Sequence, residues 1–497
     1  MMTPPEPLRD LDWSSEQARK LGEGALDLWI DFLRALPQLP IDHALTVGKV
    51  RQAVLREVPE APVPVDELLA YARKVMLENS VYMGNGGFMA YVSGPGTVPG
   101  AAADLLAAAI NQNVGGWRLS PAATEIELAL TRWFAAEFGL PSETAGGLIT
   151  SGGSMANFVG LKVARDRMTS RDVRSEGLAD GPQLRVYASE EIHAVADRAL
   201  DMLGIGTNNL VKIPVDERFQ IRIDLLEQAI EEDGAAGMTP IIVEGSAGTV
   251  STGAVDPLND LADIAQRHGL WFHVDGAYGG PAVLTEDLKP LLAGIERADS
   301  VAFDPHKWLY TPHSGGCILL RDLQHASDSF DAEASYIHED KQLMDHGLDI
   351  GRMGPQFSRG FSAFKIWMSL LAYGRDAYAR RISHDAALAR YLSERVLERP
   401  EFELATPVSL SICCFRFVPE DVTDEPYLNT LNERIMLEIQ RDGRAYCSNA
   451  VLHGRFVLRA CIVNFRTEAE HCDRLLDVAA ELGVQLDAAM RPAELAN

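Results

Sequence analysis

Cysteine is scarce in this chain. Its six cysteines, at positions 317, 413, 414, 447, 461 and 472 of 497, include no Cys-x-x-Cys pair. That excludes a disulfide scaffold or a cysteine-held metal site and suits buried thiols in a reducing cytoplasm. No bound metal is expected. Positive charge is also short: 45 Lys and Arg stand against 71 Asp and Glu, a formal net charge of −26. A phosphate-rich partner needs a basic footprint, so no nucleic acid and no membrane surface is expected as partner. No apolar run reaches the roughly 18 residues of a membrane span. The opening Met1-Met-Thr-Pro-Pro-Glu-Pro7 has no basic stretch leading into an apolar one, so a secretory signal is not expected. No Gly-x-Gly-x-x-Gly follows a strand pattern, which leaves a nicotinamide-binding Rossmann domain without support.

What is present reads as a large α/β protein. With 47% hydrophobic and 23% charged residues, the composition is globular, and the length supports more than one domain. Up to about residue 80 the pattern is helical and broken by proline: Leu26, Trp29, Ile30 and Leu33 form a stripe that Pro37 and Pro40 end. Such a stretch suits an arm packed on something else. Residues 84–100 are glycine-rich and read as loop. From about 140 to 325, apolar strands (148–150, 185–188, 241–244, 270–274, 300–303, 316–320) alternate with helices (155–167, 192–202, 224–232, 258–267). That rhythm predicts a mostly parallel sheet covered on both faces. Near 380 it changes to a smaller α+β pattern, with strands around 411–417 and 456–463. A last helix there is capped by Thr467-Glu-Ala-Glu470 and ends near Gly483. The division expected is 1–90 as a helical arm, 91–380 as the large domain and 381–497 as the small one.

Two residues point to chemistry. Lys307 stands in Val301-Ala-Phe-Asp-Pro-His-Lys-Trp-Leu-Tyr310. Asp275, 32 positions earlier (307 − 275), stands in Trp271-Phe-His-Val-Asp-Gly-Ala-Tyr-Gly-Gly280. Each closes a short apolar strand. An amine nucleophile and a carboxylate so placed are what a pyridoxal phosphate (PLP) enzyme needs. The amine bonds covalently to the cofactor aldehyde, and the carboxylate keeps the pyridine nitrogen protonated so that the ring accepts electrons. Either residue alone reads more readily as a surface lysine or a strand-end aspartate; it is the pair in these contexts, with the partners below, that points to chemistry.

Thr150-Ser-Gly-Gly-Ser-Met-Ala-Asn157 lies between a strand and a helix, where Gly153, Ser154 and free backbone N–H groups would seat a phosphate. A plain turn with a serine cap is the other reading. His193 follows a strand of the same sheet, where a flat imidazole would stack on a pyridine ring; polar surface is the alternative. Thr249, in the small-residue loop after Glu244, would reach a ring substituent, or else the loop is a turn that needs little bulk. His306 precedes the lysine, and Asp304 would shape its turn.

Together these motifs resemble the group II PLP-dependent amino-acid decarboxylases, from about residue 75 to 483, with the aromatic-amino-acid branch favoured. The resemblance rests on Ser120-Pro-Ala-Ala-Thr-Glu-Ile-Glu127, Thr150–Asn157, His193, Gly248-Thr249 and His273-Val-Asp275. It rests further on Asp304-Pro-His-Lys-Trp308, Arg359 with Lys365-Ile-Trp367, and Leu458-Arg-Ala-Cys-Ile-Val-Asn464. It implies PLP fold type I (aspartate aminotransferase-like) with a seven-stranded sheet, and a homodimer with active sites at the subunit interface. Carried over by position, Gly153 and Ser154 would hold the phosphate and His193 would stack on the ring. Asp275 would pair with the ring nitrogen, Thr249, Ala277, Asp304 and His306 would line the cofactor, and Lys307 would carry it.

Tyr336, in Phe330-Asp-Ala-Glu-Ala-Ser-Tyr-Ile-His338, matches the family's catalytic loop, which closes over the partner subunit's site. A tyrosine there implies proton donation after CO₂ leaves, whereas relatives with phenylalanine tend to form aldehydes. Tyr91, Val92 and Phe357 would line an aromatic pocket. Asn113 and Gly115 are small where animal aromatic decarboxylases are bulky, and Ser358 resembles the histidine decarboxylase pattern, which bacterial aromatic members also show. Tyrosine, tryptophan, phenylalanine or dopa is the expected substrate. Histidine, an acidic amino acid, and an aldehyde synthase on the same site are the alternatives.

Overall fold

A computed structural model describes residues 8–332 and 347–492. Twelve strands form two sheets among the described residues. They are β1 (Phe88–Met89), β2 (Gly146–Thr150), β3 (Leu184–Ser189), β4 (Leu210–Ile213), β5 (Thr239–Ser246) and β6 (Trp271–Asp275). The others are β7 (Ser300–Phe303), β8 (Gly316–Leu320), β9 (Phe402–Leu404), β10 (Ile412–Phe417), β11 (Tyr446–Leu452) and β12 (Arg455–Cys461).

The large sheet has the order β2-β8-β7-β6-β5-β3-β4, and only β8 runs against its neighbours. Its central strands are buried on both faces, as parallel strands between helices must be. Val243, Phe272, Val274, Val301 and Phe303 face one core. Val186, Ala188, Ile242, Trp271 and Ala302 face the other, where the helix Gly153–Met168 packs. The small sheet, β1-β11-β12-β10-β9, is antiparallel except where β1 pairs with β11, and it has its own core.

The six strands expected in the large sheet are present. The seventh, β4, carried no clear signal: it is an edge of four residues with Lys212 exposed. Two local expectations need correcting. The glycine-rich stretch is not all loop, because Phe88 and Met89 pair with Tyr446 and Cys447, and the helix Val98–Ile110 begins within it. The last helix is capped by Glu468 rather than Thr467. Thr467 instead donates its hydroxyl to the Gly86 carbonyl at 2.7 Å, tying that loop to the small domain.

That helix also runs on to Met490, through Gly483. The glycine is there for contact: a Cβ would sit 2.8–2.9 Å from three atoms of the buried Phe417 ring. Gly483→Ala is therefore expected to destabilise the protein by about 1 kcal/mol, overpacking outweighing the gain in helix propensity. A lowered thermal midpoint would register it; an unchanged or higher one would mean the ring yields.

Before residue 80 the described residues form three α-helices, Ser15–Ala35, Val47–Val54 and Val65–Met76, and none of them contains a buried residue.

Candidate active site

The parallel strands β2, β3, β5, β6 and β7 all end at one edge of the sheet, beside the point where strand order reverses between β3 and β5. Clefts form at such switch points. Here a cleft of about 680 Å³ is lined by Gly153, Ser154, His193, Thr249, Asp275, Ala277, Asp304, His306 and Lys307. The structure thus brings together every residue expected around the cofactor. Tyr91 and Val92 reach the same cleft from the turn just after β1.

Lys307 lies in the single helical turn Pro305–Trp308, with Nζ 2.9 Å from Asp304 Oδ2. Asp304 is buried, and its other oxygen has no hydrogen-bond partner among the described residues. Asp275 closes β6 and accepts the Ala277 N–H at 3.0 Å on Oδ1. Beneath it, Trp271 Nε1–H donates to Ser300 Oγ at 2.8 Å, so the Ser300 hydroxyl is left to bond His273 Nδ1 at 2.7 Å. The opposite ring nitrogen of His273 meets Asn157 Oδ1 at 2.7 Å. Burial lowers the His273 pKa to about 4, so this support under Asp275 is uncharged.

His193 accepts the Val195 N–H on Nδ1 at 3.1 Å, which leaves Nε2 without a partner among the described residues. His306 turns Nδ1 to the Gly315 carbonyl at 2.6 Å, and burial lowers its pKa. Thr249 shares a 3.0 Å hydroxyl contact with Thr252.

At the start of the helix Gly153–Met168, no side chain caps the first turn. A Cβ at Gly153 would lie 2.7 Å from Asp304 Oδ2, so only glycine lets the backbone approach this wall. An uncapped helix start with a glycine cradle, an amine, a strand-end carboxylate and a flat imidazole fits PLP in both charge and shape.

Asn113, Gly115, Phe357 and Ser358 do not line this cleft. They surround a second one of about 730 Å³, with Trp117, Asp331 and Gly347. Asn113 Oδ1 holds the N–H groups of Gly115 and Arg359, each at 3.0 Å, which fixes that wall apart from Lys307. Tyr336 lies outside the described residues.

Arg459 was not singled out as a site residue, yet it is a wall of the Lys307 cleft. It is 2% exposed, and Nε and Nη2 are buried without partners. Nη1 donates to the Tyr91 carbonyl at 2.8 Å and meets Ser448 Oγ at 3.2 Å. Among the described residues no carboxylate pairs with it. The available signal was one charge inside the apolar run Leu458–Val463. Tyr91 itself adopts φ 55°, a left-handed conformation costly for a bulky residue, held by Ser448 and Arg459 on its two sides.

Residues 48–418 match the family model described as the pyridoxal-dependent decarboxylase conserved domain. The chain is 34% identical over 461 residues to an aromatic-L-amino-acid decarboxylase of Bacillus atrophaeus, covering 93% of this chain and 94% of the relative. It is 28% identical to a phenylacetaldehyde synthase of Arabidopsis thaliana, covering 92% and 94%. Among solved structures, Oryza sativa TDC with PLP and tryptamine superposes with a TM-score of 0.90 at 27% identity, over 96% of this chain and 99% of that one.

Proposed function

Because the chain belongs to the pyridoxal-dependent decarboxylase family and is a PLP-dependent carboxy-lyase, we propose that it converts an aromatic L-amino acid to its amine and CO₂. One observation carries the reading: Lys307, Asp275 and the unpaired Arg459 share one cleft with the open aromatic face of Tyr91. When bound, the cofactor supplies an aldehyde that condenses with amines and a ring that accepts the electrons left when CO₂ departs.

The chain's residues do the rest. Lys307 would hold the cofactor through its aldehyde, and Asp304 keeps the amine in place. Asp275 would keep a proton on the ring nitrogen, and His193 would cover the ring face. Gly153 and Ser154 would hold the phosphate, and Thr249, Ala277 and His306 would close the sides. Arg459 takes the substrate carboxylate, the one anion a substrate brings to an otherwise uncompensated cation. Tyr336 is the proposed proton donor on the strength of its sequence position.

We place the enzyme in the cytoplasm, in keeping with six buried, unpaired thiols. We further propose a homodimer in which the arm, 1–90, covers the partner, since its three helices bury none of their own residues. In that dimer the cleft of Asn113, Gly115, Phe357 and Ser358 would face the partner's Lys307 cleft as a substrate wall, beside the large (91–380) and small (381–497) domains.

The test is product identification with PLP-loaded protein on the common amino acids and dopa, with peroxide assayed alongside. Amine from tyrosine, tryptophan, phenylalanine or dopa, without matching peroxide, supports the proposal. Aldehyde with peroxide would move the chain to the second reading, that of the phenylacetaldehyde synthase it resembles. Turnover confined to histidine or an acidic amino acid would sink the aromatic assignment.

A further inference from the structure

We infer that Asp385 is a positioning residue for Lys307, aiming the helical turn that carries the lysine; this rests on the role given to Lys307 above. The turn Pro305–Trp308 is only four residues long, too short to hold itself. It leaves through Tyr310 at φ 52°, a strained conformation that surrounding contacts must impose. Those contacts converge on one carboxylate. Trp308 Nε1–H donates to Asp385 Oδ2 at 3.1 Å, and Tyr310 O–H donates to the same oxygen at 2.6 Å. The residues one and three places beyond the lysine are thus pinned to a single atom.

Asp385 is itself fixed from elsewhere. It lies in the helix Arg375–Leu397, fully buried, and Arg381 grips its Oδ1 with Nε at 2.8 Å and Nη2 at 2.7 Å. The same Nη2 donates to the Thr467 carbonyl at 2.9 Å and lies 3.3 Å from that of Asn464. The grip extends to the other half of the site. Trp308 stacks on Tyr278 at 5.1 Å and 23°, and Tyr278, three residues after Asp275, bonds Ser411 Oγ at 2.5 Å.

Stability alone does not call for this arrangement, because a buried ion pair is often matched or bettered by apolar residues of the same volume. What a carboxylate adds is direction: two donors just beyond Lys307 have one place to go. A lysine misplaced by about an ångström is enough to slow catalysis about a hundredfold without removing any reacting group.

The test uses the PLP-loaded protein and two variants, Asp385→Asn/Arg381→Gln, which removes both charges, and Trp308→Phe/Tyr310→Phe, which removes both donors and keeps an aromatic ring at each position. Kinetics, PLP affinity and the visible absorbance of the lysine-linked cofactor are read, with thermal midpoint and dimer content as controls. The expected result for a folded variant is a kcat lower by about 10- to 100-fold with little change in KM. It should also show PLP binding weakened at least about tenfold and a shifted absorbance band. A folded variant with wild-type kcat, PLP affinity and absorbance would overturn the proposal. If one variant fails to fold, the other carries the same readouts. Lys307→Ala is run in parallel: should it keep activity and the lysine-linked band, the role of Lys307 fails, whatever the Asp385 variants do.

Discussion

Lys307→Ala is expected to lower kcat/KM by at least about a thousandfold and to destabilise the cofactor-free protein as well. The first effect follows from losing the amine that holds the cofactor aldehyde. The second follows from Asp304, whose Oδ2 lies 2.9 Å from the lysine and whose Oδ1 is already unpartnered. Removing the cation leaves a buried carboxylate with nothing to balance it, a loss of about 3 kcal/mol. Lys307→Arg separates the two effects. It keeps a cation beside Asp304 but has no amine able to condense, so activity disappears while the cofactor-free thermal midpoint stays near wild type. If alanine and arginine variants unfold at the same temperature, the pairing with Asp304 contributes nothing. If either keeps decarboxylating, Lys307 is not the nucleophile.

Arg459→Met should show the opposite combination. Nε and Nη2 are buried and unpartnered, and in the absence of substrate no described carboxylate pairs with the charge. An unpaired buried cation destabilises the fold, while losing the Nη1 bond to the Tyr91 carbonyl costs about 1–3 kcal/mol, so the two effects offset and methionine should leave stability close to wild type. Substrate binding should suffer, because charged hydrogen bonds of about 1.5–3 kcal/mol are lost, or about 10- to 150-fold in KM. The effect should appear in KM more than in kcat. Negative charge drains from the carboxylate as its bond to Cα breaks, so a cation there holds the ground state at least as well as the transition state. Inhibition by the product amine, which has no carboxylate, should be unaffected. Equal weakening of amino acid and amine would mean that Arg459 shapes the wall without touching the carboxylate.

The parts of this fold that were legible in the sequence share one property: their signal is local. The strand-ending motifs around Thr150, Asp275 and Lys307 announce a sheet and its chemistry within ten residues each. What escaped was decided at long range. β1 is two residues in a glycine-rich stretch, and only the edge of β11, some 350 positions away, makes it a strand. The helix Glu425–Asp442 was not foreseen, nor were β9 and β11. In the site, Arg459 and Asp385 are single charges in apolar or amphipathic runs. Their meaning comes from which partners the fold gives or denies them. Glu244 is similar: it is fully buried in β5 without a hydrogen-bond partner among the described residues, and burial raises its pKa well above that of an ordinary glutamate. Nothing in its neighbours along the chain predicts that.

The pairing of β1 with β11 also bears on how the molecule is made. Tyr91 is held by Ser448 and by Arg459, and 368 positions separate it from the arginine. The loop just before it is tied down by Asn464 and Thr467. A chain emerging from the ribosome could therefore assemble the seven-stranded sheet and its phosphate seat long before the opposite wall exists. During that interval the nascent molecule would present a half-built cleft, with the Tyr91 segment free of its eventual anchors. Contacts this distant in sequence slow the final folding step and leave such surfaces open to aggregation. The last quarter of the chain acts as the latch, and the wall that holds Tyr91 forms only when that segment folds back onto residues 84–92.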